Sequence, residues 1–100
     1  MRINIKTVRH LEIPAQIKRY AENKIRKFEK RLPNSSLVEI IFEDILGPKE
    51  GEDKKVHLRA CLLKSEECTF YLEETASSFK EAIDLLQEKF ERKIENYYKE

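Results

Sequence analysis

Apolar positions at the start of this chain follow two different periods. From Arg2 to Val8, the residues Ile3, Ile5 and Thr7 alternate with Asn4, Lys6 and Val8, the two-residue repeat of a half-buried strand. From Ile13 the spacing lengthens, and Ile17, Tyr20, Ala21, Ile25, Phe28 and Leu32 recur every three or four residues. That stripe predicts an amphipathic helix with Pro14 in its first turn. Leu32-Pro33-Asn34-Ser35-Ser36 stops it, because proline disfavours helical backbone in the residue before it.

Alternation then returns. Val38, Ile40 and Phe42 against Glu39, Ile41 and Glu43 predict a second strand; Val56, Leu58, Ala60 and Leu62 a third; Cys68, Phe70 and Leu72 a fourth. Gly47 to Lys55 holds both glycines and reads as a hairpin loop, and Lys64 to Glu67 as a turn. Ser78-Phe79-Lys80-Glu81 matches a capping box, in which Ser accepts from the third helical N–H and Glu reaches back to the cap. Phe79, Ala82, Ile83, Leu86, Phe90, Ile94 and Tyr97 make the apolar stripe of the helix that follows.

The expected fold is α+β, in the order β-α-β-β-β-α: a four-stranded mixed sheet with two parallel helices packed on one face. Each helix has one apolar stripe, so each needs the same layer to cover it. A right-handed crossover makes the first two strands parallel, and hairpins make the other pairs antiparallel. One domain spanning residues 1–100 is expected, since a chain of 100 residues supports one core.

Composition narrows the function classes. Charged residues are 39% of the chain and no apolar run approaches a membrane span, so a cytoplasmic protein without a membrane partner is expected. Cys61 and Cys68 fit no metal spacing and in a reducing compartment are expected as two free thiols, cross-strand neighbours or core residues. No phosphate loop, nucleophile elbow or metal cluster occurs. His10 and His57 stand on separate elements and read as structural, so neither an enzyme nor a cofactor or small-molecule substrate is expected.

Net charge is +1, but residues 1–32 hold 10 basic and 3 acidic side chains, net +7, and residues 33–100 hold 10 and 16, net −6. Such asymmetry points to a directed electrostatic surface. Projected at about 100° per residue, Lys24, Lys27, Lys30, Arg31, Arg26 and Arg19 flank one side of the first helix's stripe, opposite Glu22 and Glu29. In the second helix Lys89, Arg92 and Lys93 take the corresponding flank, with Asp84, Glu88, Glu91 and Glu95 on the far and opposite side. Parallel helices aim both basic flanks the same way, so one of them should line the groove between the helices, and bases arrayed on helices suit phosphate contact. The same faces also read as solvated surfaces with pairs such as Glu22–Arg26 and Glu88–Arg92, each worth about 0.2–0.5 kcal/mol. Tyr71 and Tyr98 fall on polar faces, where a ring can stack on a base.

The stretches INIKTVRHLEIPAQIKRYAENKIRKFEKRL and EAIDLLQEKFERKIENYYK resemble the first strand and helix and the second helix of the ribosome hibernation promoting factor family, also called the sigma modulation protein family. The resemblance includes Leu11-Glu12-Ile13 before the first helix and the pattern Lys24, Lys27, Glu29, Lys30. It implies a protein that binds the small ribosomal subunit at the decoding region, contacts ribosomal RNA and silences ribosomes in stationary phase or stress. Carried over by position, it assigns RNA contact to Lys24, Lys27, Lys89 and Arg92, with Lys93 assisting. The family's second helix ends in Lys and Arg, where this chain has Glu95, Asn96, Tyr97 and Tyr98, and the chain corresponds to the family's short form. A protein-interaction module of the same fold is the alternative suggested by the acidic second half.

Overall fold

Six main elements follow one another in a computed structural model that describes residues 1–8, 11–45, 54–62 and 68–98. They are β1 (Arg2–Thr7), α1 (Ala15–Arg26), β2 (Leu37–Asp44), β3 (Lys54–Cys61), β4 (Phe70–Ala76) and α2 (Phe79–Tyr98), with a 3-10 turn at Glu29–Arg31 after α1. The sheet order is β1-β2-β3-β4. β1 and β2 pair in parallel, Ile3 beside Val38 and Ile5 beside Ile40, and the other two pairs are antiparallel. The expected α+β architecture is the one observed.

Register decides which side chains meet. It sets Ile40 opposite Leu58 and Leu58 opposite Leu72, so one sheet face is apolar across β2, β3 and β4. Val38, Phe42, Val56 and Ala60 complete that face, each fully buried. α1 contributes Ala21 and Ile25 to the same core, and α2 contributes Ala82, Ile83, Leu86, Phe90 and Ile94. Interhelical contacts advance together along both helices, from Tyr20–Asp84 to Phe28–Phe90 to Arg31–Glu91, so the helices run parallel on one face.

Three local expectations change. The α-helical pattern stops at Arg26, not Leu32, and the chain tightens into i→i+3 bonds, Phe28 N–H to Ile25 O and Arg31 N–H to Phe28 O, both at 3.0 Å. Leu32 is already extended at φ −119°, ψ 154°, as its position before Pro33 demands. Tightening still turns Phe28 and Leu32 into the core. At α2, Ser78 Oγ accepts from Glu81 N–H at 3.2 Å, the expected cap. The return arm differs, since the Glu81 carboxylate accepts from Ser77 Oγ at 3.0 Å. Lys54 and Lys55 belong to β3 rather than to the loop before it. The rest of that loop, the turn at Lys64 to Glu67 and His10 lie outside the described residues.

The cysteines are the fourth correction. Cys61 and Cys68 form a disulfide, not two free thiols. Antiparallel pairing that sets Ala60 beside Phe70 brings their Cα atoms to 4.1 Å, so the two sulfurs meet whenever the hairpin is closed. Arg59 Nε donates to Cys68 Sγ at 3.1 Å. A bridge across a sequence separation of 7 stabilises by roughly 2–3 kcal/mol on the loop-entropy relation. Reduction, or Cys→Ser at both positions, is therefore expected to lower the unfolding free energy obtained from urea titration by about 2–3 kcal/mol; superimposable titrations with and without reductant would contradict the linkage.

Candidate nucleic-acid interface

The seven predicted bases all lie on the helical layer, on elements whose apolar stripes fix which way they face. Burial of Ala21 and Ile25 turns Tyr20, Lys24 and Lys27 toward α2. Asp84 meets them there: its carboxylate accepts from the Tyr20 hydroxyl and lies 3.8 Å from Lys24 Nζ. Lys24 and Lys80 stand over the Tyr20 ring at 5.3 and 5.2 Å, so the ring sits between two cations and a carboxylate. Farther along, Arg31 lies 3.8 Å from Glu91 and 5.8 Å from the Phe28 ring. Lys24 and Arg31 of the α1 flank thus face the groove, where α2 answers them with acids; Arg26, expected on the same flank opposite Glu22 and Glu29, instead lies on their side and pairs with both.

The α2 bases lie on the other side of their helix. Lys89 Nζ reaches Glu74 at 2.8 Å and donates to the Glu73 carbonyl at 3.2 Å, so this flank overhangs β4. Arg92 and Lys93 are exposed beyond it. Helical spacing puts Glu88 and Glu95 on the outer ridge between the two flanks. The seven bases therefore form two tracks with an acidic ridge between them. Near the Phe28–Phe90 ring contact, 5.2 Å between centroids, Lys27, Lys30 and Arg31 at the end of α1 come level with Arg92 and Lys93.

Pairing divides the bases further. Among the described residues, Lys27, Lys30, Arg92 and Lys93 are exposed and in no ion pair. Lys24, Arg31 and Lys89 have acidic neighbours, but solvent-exposed pairs are worth roughly 0–1 kcal/mol, a hold that a phosphate can replace. Arg26 is committed elsewhere: Glu22 at 2.8 Å and Glu29 at 3.4 Å hold it, and hydrogen bonding to Glu22, followed by the nearby charges, raises its pKa above the ordinary arginine value.

The opposite sheet face carries a polar network that the sequence pattern did not disclose. His57 Nε2 lies 3.0 Å from Glu43, and its Nδ1 lies 2.7 Å from the Tyr71 hydroxyl and 3.6 Å from Glu73. Lys55 pairs with Glu73 at 3.2 Å and Lys6 with Glu39 at 2.6 Å. These contacts hold the His57 ring on both nitrogens, and Tyr71 is 60% exposed while its hydroxyl is engaged. Strand alternation places these residues outward, but only register makes 43, 57 and 71 neighbours. Tyr97, counted in the α2 stripe from its spacing, is 46% exposed and meets Phe70 by edge contact.

The family model described as Sigma 54 modulation protein / S30EA ribosomal protein matches residues 3–100. No curated protein matches the chain. Among solved structures, a ribosomal subunit interface protein from Coxiella burnetii is similar at 20% identity, with a TM-score of 0.71 over 97% of each chain. The N-terminal domain of Protein Y from Thermus thermophilus is similar at 18% identity, with a TM-score of 0.73 over 97% of this chain and 99% of that one. At these identities the two structures bear on the fold.

The interhelical groove has a spectroscopic handle. Hydrogen bonding to Asp84, with burial and the carboxylate charge adding to it, pushes the Tyr20 pKa up to about 12. A phenol held protonated in the fold stabilises it fully below the ordinary value near 10. That contribution falls as pH rises toward 12, because the unfolded chain gives up the proton first. Asp84→Asn is expected to bring one tyrosine back toward ordinary ionisation in an ultraviolet titration; an unchanged titration would remove the assignment.

Proposed function

The chain belongs to the sigma 54 modulation protein / S30EA ribosomal protein family, ribosome-binding factors that are not enzymes, and on that basis we propose that it binds the small ribosomal subunit through ribosomal RNA near the decoding region and silences idle ribosomes under stress. The observation that carries this reading is the pair of basic tracks on parallel helices, with Lys27, Lys30, Arg92 and Lys93 unpaired among the described residues. Lys24, Arg31 and Lys89 join them by exchanging weak protein pairs for phosphates. The name of the Coxiella burnetii relative, a ribosomal subunit interface protein, supports a ribosomal partner. No described helix is long and apolar enough to cross a membrane, and a ribosome-bound protein works in the cytoplasm.

Rigid spacing between the tracks is what makes them useful. Both helices rest on the same sheet face, so the two sets of bases keep a fixed separation and orientation. A folded RNA surface presents phosphates in a fixed pattern too, and phosphate contacts position a protein without reading sequence. The acidic ridge between the tracks discourages phosphate there, so the bound RNA is expected to approach along the two flanks and not across the crest of α2.

One observation favours a second reading. Asp84, Glu88, Glu91 and Glu95 share the outward and α1-facing surface of α2, and its last turn has no basic residue, features that also suit a protein partner. Salt separates the two, since phosphate binding weakens linearly in log salt with a slope of about 0.7–0.9 per contact. Co-sedimentation with small ribosomal subunits is expected at low salt and lost as salt rises. Lys27→Glu with Arg92→Glu is expected to weaken binding and to lower the salt slope by about 2. No binding at low salt would overturn the proposal, and a protein partner retained at high salt without RNA would favour the second reading.

A further inference from the structure

The last turn of α2 holds two half-open aromatic rings and no base. Tyr97 is 46% and Tyr98 51% exposed, yet neither ring is loose. Tyr97 packs edge-on against Phe70 with centroids 5.6 Å apart, and Phe70 lies 6.1 Å from the fully buried Phe90. Tyr98 stands perpendicular to Tyr97 at 5.0 Å. A chain of edge contacts thus anchors the exposed pair in the core, and anchored rings lose little freedom when something stacks on them.

The position of the pair selects the ligand. Lys89, Lys93 and Tyr97 are spaced by four, which sets them in one row on α2 at intervals of about 6 Å. Lys93 and the neighbouring Arg92 are in no ion pair among the described residues. A phosphate backbone following this track brings its bases to the rings at the end of the row. We propose that Tyr97 and Tyr98 form a stacking site for an unpaired RNA base, with Arg92 and Lys93 holding the adjoining phosphates. The proposal takes its ligand from the ribosomal RNA reading above; the chemistry asks only for a base with a free π-face, which every base has.

A protein partner fits the same surface poorly. Stable interfaces engage roughly 20–30 residues a side, and the pair has little apolar surface around it. Leu85, another large exposed apolar side chain, lies thirteen residues back, about 20 Å along the helix. Tyr71 is on the far face of the sheet with its hydroxyl engaged by His57. Tyr97, one turn beyond Lys93 in the same row, puts a ring at the end of a cationic track that suits an RNA strand in size and charge, and Tyr98 backs that ring from the side of Glu91 and Glu95.

The test uses the full chain with two ligands, purified small ribosomal subunits and an unstructured single-stranded RNA oligomer, each titrated at several salt concentrations. The chain has no Trp and 4 Tyr, so tyrosine fluorescence reports stacking directly. Tyr97→Ala with Tyr98→Ala is expected to weaken binding about tenfold or more and to abolish fluorescence quenching, with the salt slope unchanged. The Tyr→Phe pair is expected to bind like the parent. Tyr98→Ala alone removes the outer ring, whose one ring contact among the described residues is Tyr97, and a thermal melt matching the parent keeps its loss of affinity attributable to stacking. Unchanged affinity of the alanine variants for subunits that the parent binds overturns the stacking site and leaves the proposed function standing. A parent that binds and is quenched by the oligomer, but does not bind subunits, upholds the stacking site and overturns the ribosomal reading. Binding to neither overturns both. Self-association that the double alanine variant abolishes assigns the rings to a protein contact and overturns the proposal.

Discussion

Phe90 is fully buried where α2 crosses the sheet, with Phe28 meeting it edge-on from the end of α1 and Phe70 from the start of β4. This three-ring contact ties both helices and an edge strand together at one point. Aromatic rings bury about 150–250 Å² each, and an edge-to-face pair adds about 0.5–1.5 kcal/mol beyond that burial. The rest of the basic surface depends on it, because the helices carry their charges on flanks whose spacing is set by how closely the two stripes share one core. Tyr97 is reached through the same contact by way of Phe70.

Around this apolar centre the polar surface is sorted by element rather than by sign. α1 turns bases into the interhelical groove, α2 meets them with Asp84 and Glu91, and the bases of α2 fall on its other side against β4. Parallel helices with similar flanks produce this alternation: base, acid, base. The groove pairs help to dock α2 beside α1 at a cost of little binding capacity, since exposed pairs are worth roughly 0–1 kcal/mol. Four bases remain unpaired among the described residues, and they gather toward the end of the helices where Phe28 meets Phe90. A net charge of +1 therefore hides a polarised surface.

Where the pattern along the chain was periodic, it was informative. Two-residue alternation located all four strands, and the stripe from Ile17 to Ile25 located α1, because burial on one face leaves a mark at every turn or every second residue. The end of α1 escaped, since a 3-10 turn also buries Phe28 and Leu32 and spacing alone does not distinguish it from another α turn. Tyr97 has the spacing of a core residue, but at the helix end the sheet no longer covers it. The disulfide and the His57 network escaped for a different reason: both depend on which residue of one strand lies beside which residue of the next.

The basic residues themselves were legible from local order, because helical geometry fixes the angle between side chains on one element. Local order also carried the α+β fold, since each element advertises the single face it must bury. Only the tertiary structure decided that the bases form two tracks split by acids, that Cys61 meets Cys68, and that Tyr97 and Tyr98 stand braced at the edge. Those outcomes arise from distances between elements, which register and close packing set and which no pattern within one segment contains.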